Sequence, residues 1–291
     1  MVSIIINPVS GGATPGEAAA RARLAQSILD AHGERGDVLL TTGRGHATAL
    51  AEAAAARGDR LVVAWGGDGT MNEVASVLVT SRTVLGLVPA GSGNGLAREL
   101  HVPRAPTAAL HAALSRAPRQ IDAGQLGGRW FFSVAGIGFD AHIAKLFDAS
   151  VSRSRGLRGY VRLTARELPR YRCAAYAIDG GAPQPAFLVT LANSAQFGNG
   201  VRIAPTARPD DGFLDLVVAG ERSRARTLLN IPRLLAGRID RAPGVSTRRI
   251  TDVVIESEHP MDFHVDGEPC GGGTRLEARV VPGALRIAAR A

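Results

Sequence analysis

Little in this sequence suits a disulfide-stapled, membrane-spanning or secreted protein. Its 291 residues include two cysteines, Cys173 and Cys270, which are too few for a disulfide scaffold or a four-cysteine zinc site. No stretch approaches the roughly 20 consecutive apolar residues that cross a bilayer, and the first residues lack the basic start and full-length apolar core of a secretory signal. We therefore predict reduced cysteines and a cytoplasmic protein.

Aromatic residues and lysine are also scarce. Aromatics make up 4% of the chain, few for the stacking platforms used in nucleic-acid binding, so no nucleic-acid partner is predicted. Lys145 is the only lysine, yet arginine brings the formal net charge to +8. A positive balance favours anionic small molecules or an anionic membrane face.

The pattern of apolar runs divides the chain into two parts. The first 122 residues alternate short apolar runs with alanine-rich stretches, which predicts a parallel sheet covered by helices. Strands are predicted over residues 2–6, 37–41, 60–65 and 84–89, and helices over 17–32, 46–57 and 72–79. From about Ile121, β-rich runs alternate with proline- and glycine-rich turns, which predicts an antiparallel β-sandwich. Its strands are predicted over 129–134, 173–178, 186–192, 213–218, 252–256 and 261–265, with helices over 141–147, 156–168 and 223–236.

Glycine-rich or polar turns follow all four predicted strands of the first part, at residues 7–12, 41–45, 66–70 and 91–95. Ligands of open parallel sheets bind at the carboxyl ends of the strands. We therefore expect the four turns to converge on one ligand site. The motif G-x-x-x-x-G-K-[ST] is absent, which excludes a P-loop nucleotidase.

The third turn carries the strongest chemical signal, Trp65-Gly66-Gly67-Asp68-Gly69-Thr70-Met71-Asn72-Glu73. Glycines before a helix allow close backbone approach, and the amides at the helix start form an anion site. The carboxylate of Asp68 would repel a bare phosphate, but it suits a magnesium ion that lies between the carboxylate and the phosphate. The alternative is a structural turn in which Asp68 caps the helix.

The remaining turns are less specific. In the first, Asn7 is suited to a nucleotide base or ribose, and Ser10 with Gly11 to phosphate; in the fourth, Ser92 is suited to phosphate, and Asn94 to phosphate, substrate or neighbouring backbone. Residues 136–141 fit the loose dinucleotide pattern G-x-G-x-x-[GA] but lack the later acidic partner, so we interpret them as a structural turn. His259, His264 and Cys270 do not have the spacing of a zinc site.

Four motifs in this order resemble those of the diacylglycerol kinase catalytic-domain family, and the resemblance spans nearly the whole chain. They are Asn-Pro-x-Ser-Gly from residue 7, Gly-Gly-Asp-Gly-Thr-x-Asn-Glu from 66, Pro-x-Gly-Ser-x-Asn from 89 and Val-Asp-Gly-Glu from 265. The resemblance implies an ATP- and Mg²⁺-dependent lipid kinase. It also implies an α/β nucleotide-binding domain at residues 1–122 plus about 284–291, a β-sandwich lipid-binding domain at 123–283, and an active site in the cleft between them.

The resemblance also assigns roles to residues. It implies catalytic roles for Asp68 and the late motif, with Glu268 as our first choice of general base and Asp266 as a metal ligand or alternative base; the competing interpretation is a hairpin turn with two solvated acids. A structural magnesium would lie on the carboxylate of Asp211 and the carbonyls of Arg208 and Phe213, unless this Asp-Gly segment only starts a hairpin. The implied ATP contacts are Asn7, Pro8, Val9, Ser10, Gly11, Thr41, Gly66, Gly67, Asp68, Gly69, Thr70, Met71, Asn72 and Ser92.

The lipid itself stays open. The Gly91-Ser92-Gly93-Asn94 version of the fourth turn is more similar to the sphingosine and ceramide kinase branch than to the commonest bacterial form. Nor does the sequence fix the oligomeric state, and a homodimer is compatible with it. The alternatives are a kinase of a soluble acceptor, similar to NAD kinases, and a non-catalytic nucleotide-binding module at a membrane.

A basic helix is predicted within residues 151–172, which hold seven arginines and one acid. Such a helix can dock on an anionic membrane, or it can pack its apolar face on the sandwich while its arginines face solvent. Both hold if only the arginines touch headgroups. Docking would place the protein peripherally on the inner face of the membrane. One face carries Arg155, Arg158, Arg162 and Arg166, and the opposite face carries Leu157, Tyr160, Val161, Thr164 and Leu168.

Overall fold

The computed structural model describes residues 1–149, 157–198, 201–221, 230, 233 and 236–289. The chain forms two compact units: unit 1 comprises Met1–Ile121 with Gly283–Ala291, and unit 2 comprises Asp122–Pro282. Within the described part of the chain, every helix is too short or too polar to cross a bilayer. The helix predicted over 223–236 lies almost wholly outside the described residues.

Unit 1 is a parallel α/β structure, as the alternating pattern predicted. Its strands are β1 (Val2–Ile6), β2 (Gly36–Leu40), β3 (Leu61–Gly66) and β4 (Val84–Pro89), all parallel in the order β2-β1-β3-β4. The last part of β17 (Arg275–Ala288) pairs in parallel with β4, with Ile287 opposite Leu85. Its helices are α1 (Pro15–Ala31), α2 (His46–Ala56), α3 (Asp68–Leu78), α4 (Gly95–Glu99) and α5 (Pro106–Ser115).

Local sequence explains these elements. Every residue of β1 and β3 is buried, and strands covered by helices on both faces need such continuous apolar runs. Helix α1 begins with a capping box, in which Thr14 and Glu17 satisfy each other's backbone amides, and with Pro15 at its first position; both devices stabilise a helix start.

Unit 2 is an antiparallel β-structure whose described helices include α6 (Phe139–Ala149), α7 (Leu157–Glu167) and a short 3-10 helix, Ile239–Arg241. Its pairings follow the order β16-β15-β7-β9-β8-β14-β17, and β12 lies between β9 and β13. One apolar core joins these strands around Phe131, Leu191, Leu216, Ile255 and Phe263. Strand β5 begins in unit 1 and continues into unit 2, and the first part of β17 also belongs to unit 2. The strands from β5 onward are β5 (Pro118–Leu126), β6 (Arg129–Phe131), β7 (Val134–Gly138), β8 (Ala174–Ile178), β9 (Gln184–Ala192), β10 (Gln196–Gly198), β11 (Val201–Arg202), β12 (Leu214–Gly220), β13 (Val245–Ile250), β14 (Asp252–Glu256), β15 (Asp262–Val265) and β16 (Glu268–Gly271).

Two local predictions in unit 2 are wrong. The single strand predicted over 129–134 is split into β6 and β7, because a carboxylate distant in sequence, that of Asp266, binds the amides of residues 132–134. The turn predicted at 136–141 is instead a direct strand-to-helix junction: β7 continues to Gly138, and α6 begins at Phe139.

Candidate functional site

The four glycine-rich turns of unit 1 follow the carboxyl ends of β1, β2, β3 and β4, and we call them loops 1 to 4. Because these strands are parallel and adjacent, the loops share one edge of the sheet. The residues predicted to bind the nucleotide therefore lie at this edge. Among them, Ser92 is exposed and Thr41 is buried, while Met71 turns its side chain into the core and offers only its backbone.

Loop 1 is tied to loop 3 and to α1. The Asn7 Nδ2 donates a hydrogen bond to the Thr70 hydroxyl at 3.0 Å. Arg21 of α1 donates to the Ser10 hydroxyl at 2.9 Å and to the Ser10 carbonyl at 3.1 Å, and its guanidinium lies 6.0 Å from the ring centre of Trp65. Sequence reasoning missed Arg21, because no motif spacing links a residue of α1 to this loop.

Asp68 connects loop 3 to loop 4. Its two carboxylate oxygens accept hydrogen bonds from the amides of Asn94 and Gly95, each at 2.8 Å. Negative charge at the start of α4 is also favoured by the helix dipole. Each carboxylate oxygen has more than one lone pair, so these two hydrogen bonds do not exclude a cation as a further partner.

Asn94 closes loop 4 on itself. Its Oδ1 accepts the Gly91 amide at 2.9 Å, its Nδ2 donates to the Gly91 carbonyl at 2.6 Å, and its backbone is left-handed with φ +52°. Of the three partners that the sequence suggested for Asn94, this structure contains the neighbouring backbone.

The loops approach so closely that side chains would not fit. A β-carbon on Gly91 would lie 2.7 Å from the α-carbon of Gly67, and one on Gly93 would lie 2.6 Å from the Asp68 carboxylate. The result is a surface made of backbone beside the first turn of α3. Amides at a helix start bind phosphate well, so the residues of loops 3 and 4 fit a nucleoside triphosphate with its magnesium ion.

Glu73 is a second residue whose structural role the sequence analysis missed. Its two carboxylate oxygens accept the amides of Gly45 and Ala47 at 3.0 and 3.1 Å. Glu73 thereby fixes loop 2 and the start of α2 to α3. The residue stood inside the third motif, but only the fold supplies its partners.

The late motif of unit 2 forms the two-residue hairpin turn between β15 and β16. Val265 pairs with Glu268, and both central residues are left-handed, Asp266 at φ +48° and Gly267 at φ +87°, as a type I′ hairpin requires. Asp266 is a clamp: its carboxylate accepts the amides of Phe132, Ser133 and Val134 at 2.9, 2.8 and 3.1 Å. Glu268 is half-buried at the first position of β16.

The predicted structural magnesium site at Asp211 lies among charged and aromatic groups. One Asp211 oxygen lies 3.1 Å from the Arg249 guanidinium, and the other accepts the Phe213 amide at 3.2 Å. Arg249 also lies over the Phe213 ring at 5.8 Å and 3.9 Å from the buried Asp215. Among the described residues, no group of three or more His, Cys, Asp and Glu side chains is arranged to hold a metal. In this structure the Arg249 guanidinium already balances the charge of Asp211, so the predicted magnesium ion would have to share this carboxylate with Arg249.

Helix α7 is only partly covered. Tyr160 packs edge-on against Phe147 of α6, with ring centres 5.7 Å apart, whereas Val161 is 55% exposed. Arg162 and Arg166 are exposed, and Arg166 pairs with Glu167. Arg155 and the side chains of Leu157 and Arg158 lie outside the described residues.

Both cysteines are free thiols. Burial raises the pKa of Cys173 to about 11, and burial likewise raises the pKa of Cys270. A thiol must ionise to act as a nucleophile. Neither cysteine therefore suits nucleophilic catalysis at neutral pH.

Two protein-family models match the chain: the diacylglycerol kinase catalytic domain over residues 1–126 and the YegS C-terminal NAD kinase beta sandwich-like domain over residues 133–289. A Chromohalobacter salexigens protein named probable lipid kinase YegS-like is 34% identical over 259 residues, which cover 87% of this chain and 83% of that protein. A diacylglycerol kinase of Mycobacterium tuberculosis is 32% identical over 305 residues, covering 98% and 94%. The crystal structure of a putative diacylglycerol kinase from Bacillus anthracis has the same fold, with a TM-score of 0.82 at 21% identity over 99% of this chain and 95% of that one.

Proposed function

The chain belongs to the diacylglycerol kinase catalytic-domain family, as its motifs predicted, and on that premise we propose that it transfers the γ-phosphoryl group of ATP, with Mg²⁺, to a lipid hydroxyl. The observation that carries the proposal is the interlocked set of loops in unit 1. Asn7 bonds to the Thr70 hydroxyl, Asp68 to the Asn94 amide, and Asn94 to the Gly91 carbonyl, and together these bonds fix the backbone of loops 1, 3 and 4 at one sheet edge. Preorganised amides and a divalent cation are what phosphoryl transfer requires.

Within this proposal the residues of unit 1 bind ATP. The amides of loop 3 and of the first turn of α3 would hold the phosphates, with loops 1 and 4 alongside. Asp68 would hold the magnesium ion, which neutralises charge on the transferring group when it is bound. The commitment of Asp68 to loop 4 supports this role, because a ligand oxygen must be fixed in place.

Glu268 is the proposed general base, which takes the proton from the lipid hydroxyl. The environment of its neighbour supports this choice: three amides already bind the Asp266 carboxylate, and a carboxylate used in this way is poorly placed to accept a substrate proton. Glu268, one residue beyond the turn, keeps partial exposure. General-base catalysis contributes roughly 10²–10⁴ in rate.

A lipid alcohol reaches the enzyme from a membrane, so we also propose peripheral docking through α7. The exposed Arg162 and Arg166 would contact anionic headgroups, and the exposed Val161 would enter the interface. Basic amphipathic helices bind anionic surfaces in this way.

The test is transfer of label from γ-labelled ATP into mixed micelles of diacylglycerol, sphingosine, ceramide or phosphatidylglycerol. We expect one lipid to be labelled by the wild type and by Glu258→Gln, an exposed acid-to-amide control. Glu268→Gln should bind ATP normally and lose roughly 10²–10⁴ in kcat. Labelling of a soluble acceptor but of no lipid would overturn the proposal in favour of an NAD-kinase-like enzyme.

A further inference from the structure

A buried histidine–aspartate pair lies directly beside the hairpin turn that carries Glu268. His264 is 3% exposed and Asp140 is 7% exposed, and the two belong to β15 and α6. The His264 Nε2 lies 3.4 Å from the Asp140 Oδ2. The Thr190 hydroxyl donates to the same oxygen at 3.2 Å, and the Ala141 amide donates to the other oxygen at 2.9 Å. The Asp140 carboxylate is thus fixed by donors from three elements.

The second nitrogen of His264 reaches the turn. The Gly267 amide donates to the His264 Nδ1 at 3.3 Å. Because an amide N–H only donates, Nδ1 must be the acceptor, and the ring proton must lie on Nε2, facing Asp140. The imidazole therefore links a fixed carboxylate to the backbone of Gly267, the residue immediately before Glu268.

The turn is consequently held from two sides. Asp266 fastens one side to the start of β7 through three amides, and His264 fastens the other side through Gly267. The direction in which Glu268 leaves the turn depends on the backbone angles of Asp266 and Gly267, which are both left-handed. Misplacement of a catalytic group by about 1 Å costs about 100-fold in rate.

We propose that the Asp140–His264 pair is a positioning device that orients Glu268 by holding the Gly267 amide. Neither residue is a catalytic residue, because both are buried and both ring nitrogens of His264 already have partners. The inference rests on the proposed role of Glu268 as general base. Nothing in the spacing of the Val-Asp-Gly-Glu motif calls for a histidine one position before it.

The first test compares two substitutions of His264 in the labelling assay. His264→Leu keeps the bulk but removes both hydrogen bonds, and we expect kcat to fall by up to about 100-fold with the KM for ATP unchanged. His264→Asn keeps an acceptor oxygen near the position of Nδ1 and should recover much of the lost kcat. His259→Leu, at an exposed histidine, is the matched control and should behave as the wild type.

A double-mutant cycle separates positioning from a general loss of structure. If His264 acts through Glu268, adding His264→Leu to Glu268→Gln should lower kcat no further. Equal losses in the two backgrounds would overturn the inference while leaving the kinase intact. A fully active Glu268→Gln variant would instead remove the proposed base, a failure of the proposed function.

One readout does not depend on activity. Nitrogen NMR of the wild-type protein should show the His264 proton on Nε2, and hydrogen exchange at the Gly267 amide should accelerate in His264→Leu. A proton on Nδ1, or unchanged exchange at Gly267, would disprove the link.

Discussion

Two neighbouring acids of one motif have different surroundings, and these surroundings support the different roles that we propose for them. Asp266 and Glu268 are separated only by Gly267, yet the Asp266 carboxylate binds three amides of a distant strand start. Sequence reasoning left the choice of base between them open, because both were acids in a predicted hairpin. The long-range partners of Asp266 favour Glu268.

These different surroundings predict that Asp266→Asn lowers stability and that Glu268→Gln lowers turnover. Asp266→Asn replaces a charged acceptor of three hydrogen bonds, so we expect the free energy of unfolding to fall by about 1.5–3 kcal/mol. Glu268→Gln should leave stability unchanged and lower turnover. Urea unfolding measures the first effect and the label-transfer assay the second. Wild-type stability in Asp266→Asn would contradict the clamp.

The pairing of Arg249 with Asp211 predicts stability that does not depend on magnesium. A bound ion whose free concentration is 100 times its Kd would raise the free energy of unfolding by about 2.7 kcal/mol. Without such an ion, we expect the melting temperature of the ATP-free protein to be the same in Mg²⁺ and in chelator. Arg249→Gln removes the guanidinium and should make the melting temperature rise with Mg²⁺. Asp68→Asn controls for magnesium that binds at the sheet edge with loops 1 to 4. If the melting temperature depends on magnesium in both the wild type and Asp68→Asn, the ion binds at Asp211 in spite of Arg249, and this prediction is wrong.

At the scale of single elements, α3 shows what the sequence could and could not predict. Its strand–loop–helix setting and its likeness to a phosphate site were readable from residues 65–73. Its start was predicted at residue 72 but lies at Asp68. Glycines disfavour helix, and contacts with another loop, those of Asp68 with Asn94 and Gly95, help to hold this turn. Local propensity cannot reveal a partner from another loop.

Glu73 predicts a coupling between α3 and the second loop. Glu73→Gln loses a charged acceptor of two amides, so we expect about 1–3 kcal/mol less stability and faster hydrogen exchange over residues 42–47. Glu52→Gln, at an exposed acid of α2, should change neither. Exchange that accelerates equally in both variants would show that the Glu73 contacts do not fix the loop.

The proposed docking of α7 on an anionic membrane leads to a prediction for its arginines. Replacing Arg162 and Arg166 with glutamate should weaken binding to phosphatidylglycerol vesicles by at least about tenfold, with little effect in high salt, where the wild type is also released. The same change at Arg23 and Arg35, two exposed arginines of unit 1, alters the net charge equally and should weaken binding much less. Equal weakening would point to net charge and not to α7.

At the scale of the whole molecule, unit 1 is assembled from both ends of the described chain. Residues 283–289 extend its parallel sheet, and Leu285 and Ile287 are fully buried there. The alternation of strands and helices made the α/β class of unit 1 predictable, and the β-rich runs between proline- and glycine-rich turns made the β-sandwich class of unit 2 predictable. The return of the last strand came only from the family resemblance, because one apolar strand carries no mark of the sheet it joins.

Ile287 therefore predicts a long-range effect on unit 1. Ile287→Ala should lower the stability of unit 1 by about 2–5 kcal/mol and weaken ATP binding, while amides in the core of unit 2 stay protected in hydrogen exchange. Val281→Ala, at a half-buried position just before unit 1 resumes, is the control. Loss of protection confined to unit 2 would contradict the assignment of Ile287.

The two-segment make-up of unit 1 also sets an order of events during protein synthesis. A ribosome releases the segment that forms unit 2, Asp122–Pro282, before the residues that complete the sheet of unit 1. Domains generally fold as units as they emerge, but here the sheet formed by the first 121 residues lacks its last strand until residues 283–289 have been made. A nascent chain would therefore complete the sheet of unit 1 only after the whole of unit 2 has been synthesised, although unit 1 begins first in the sequence.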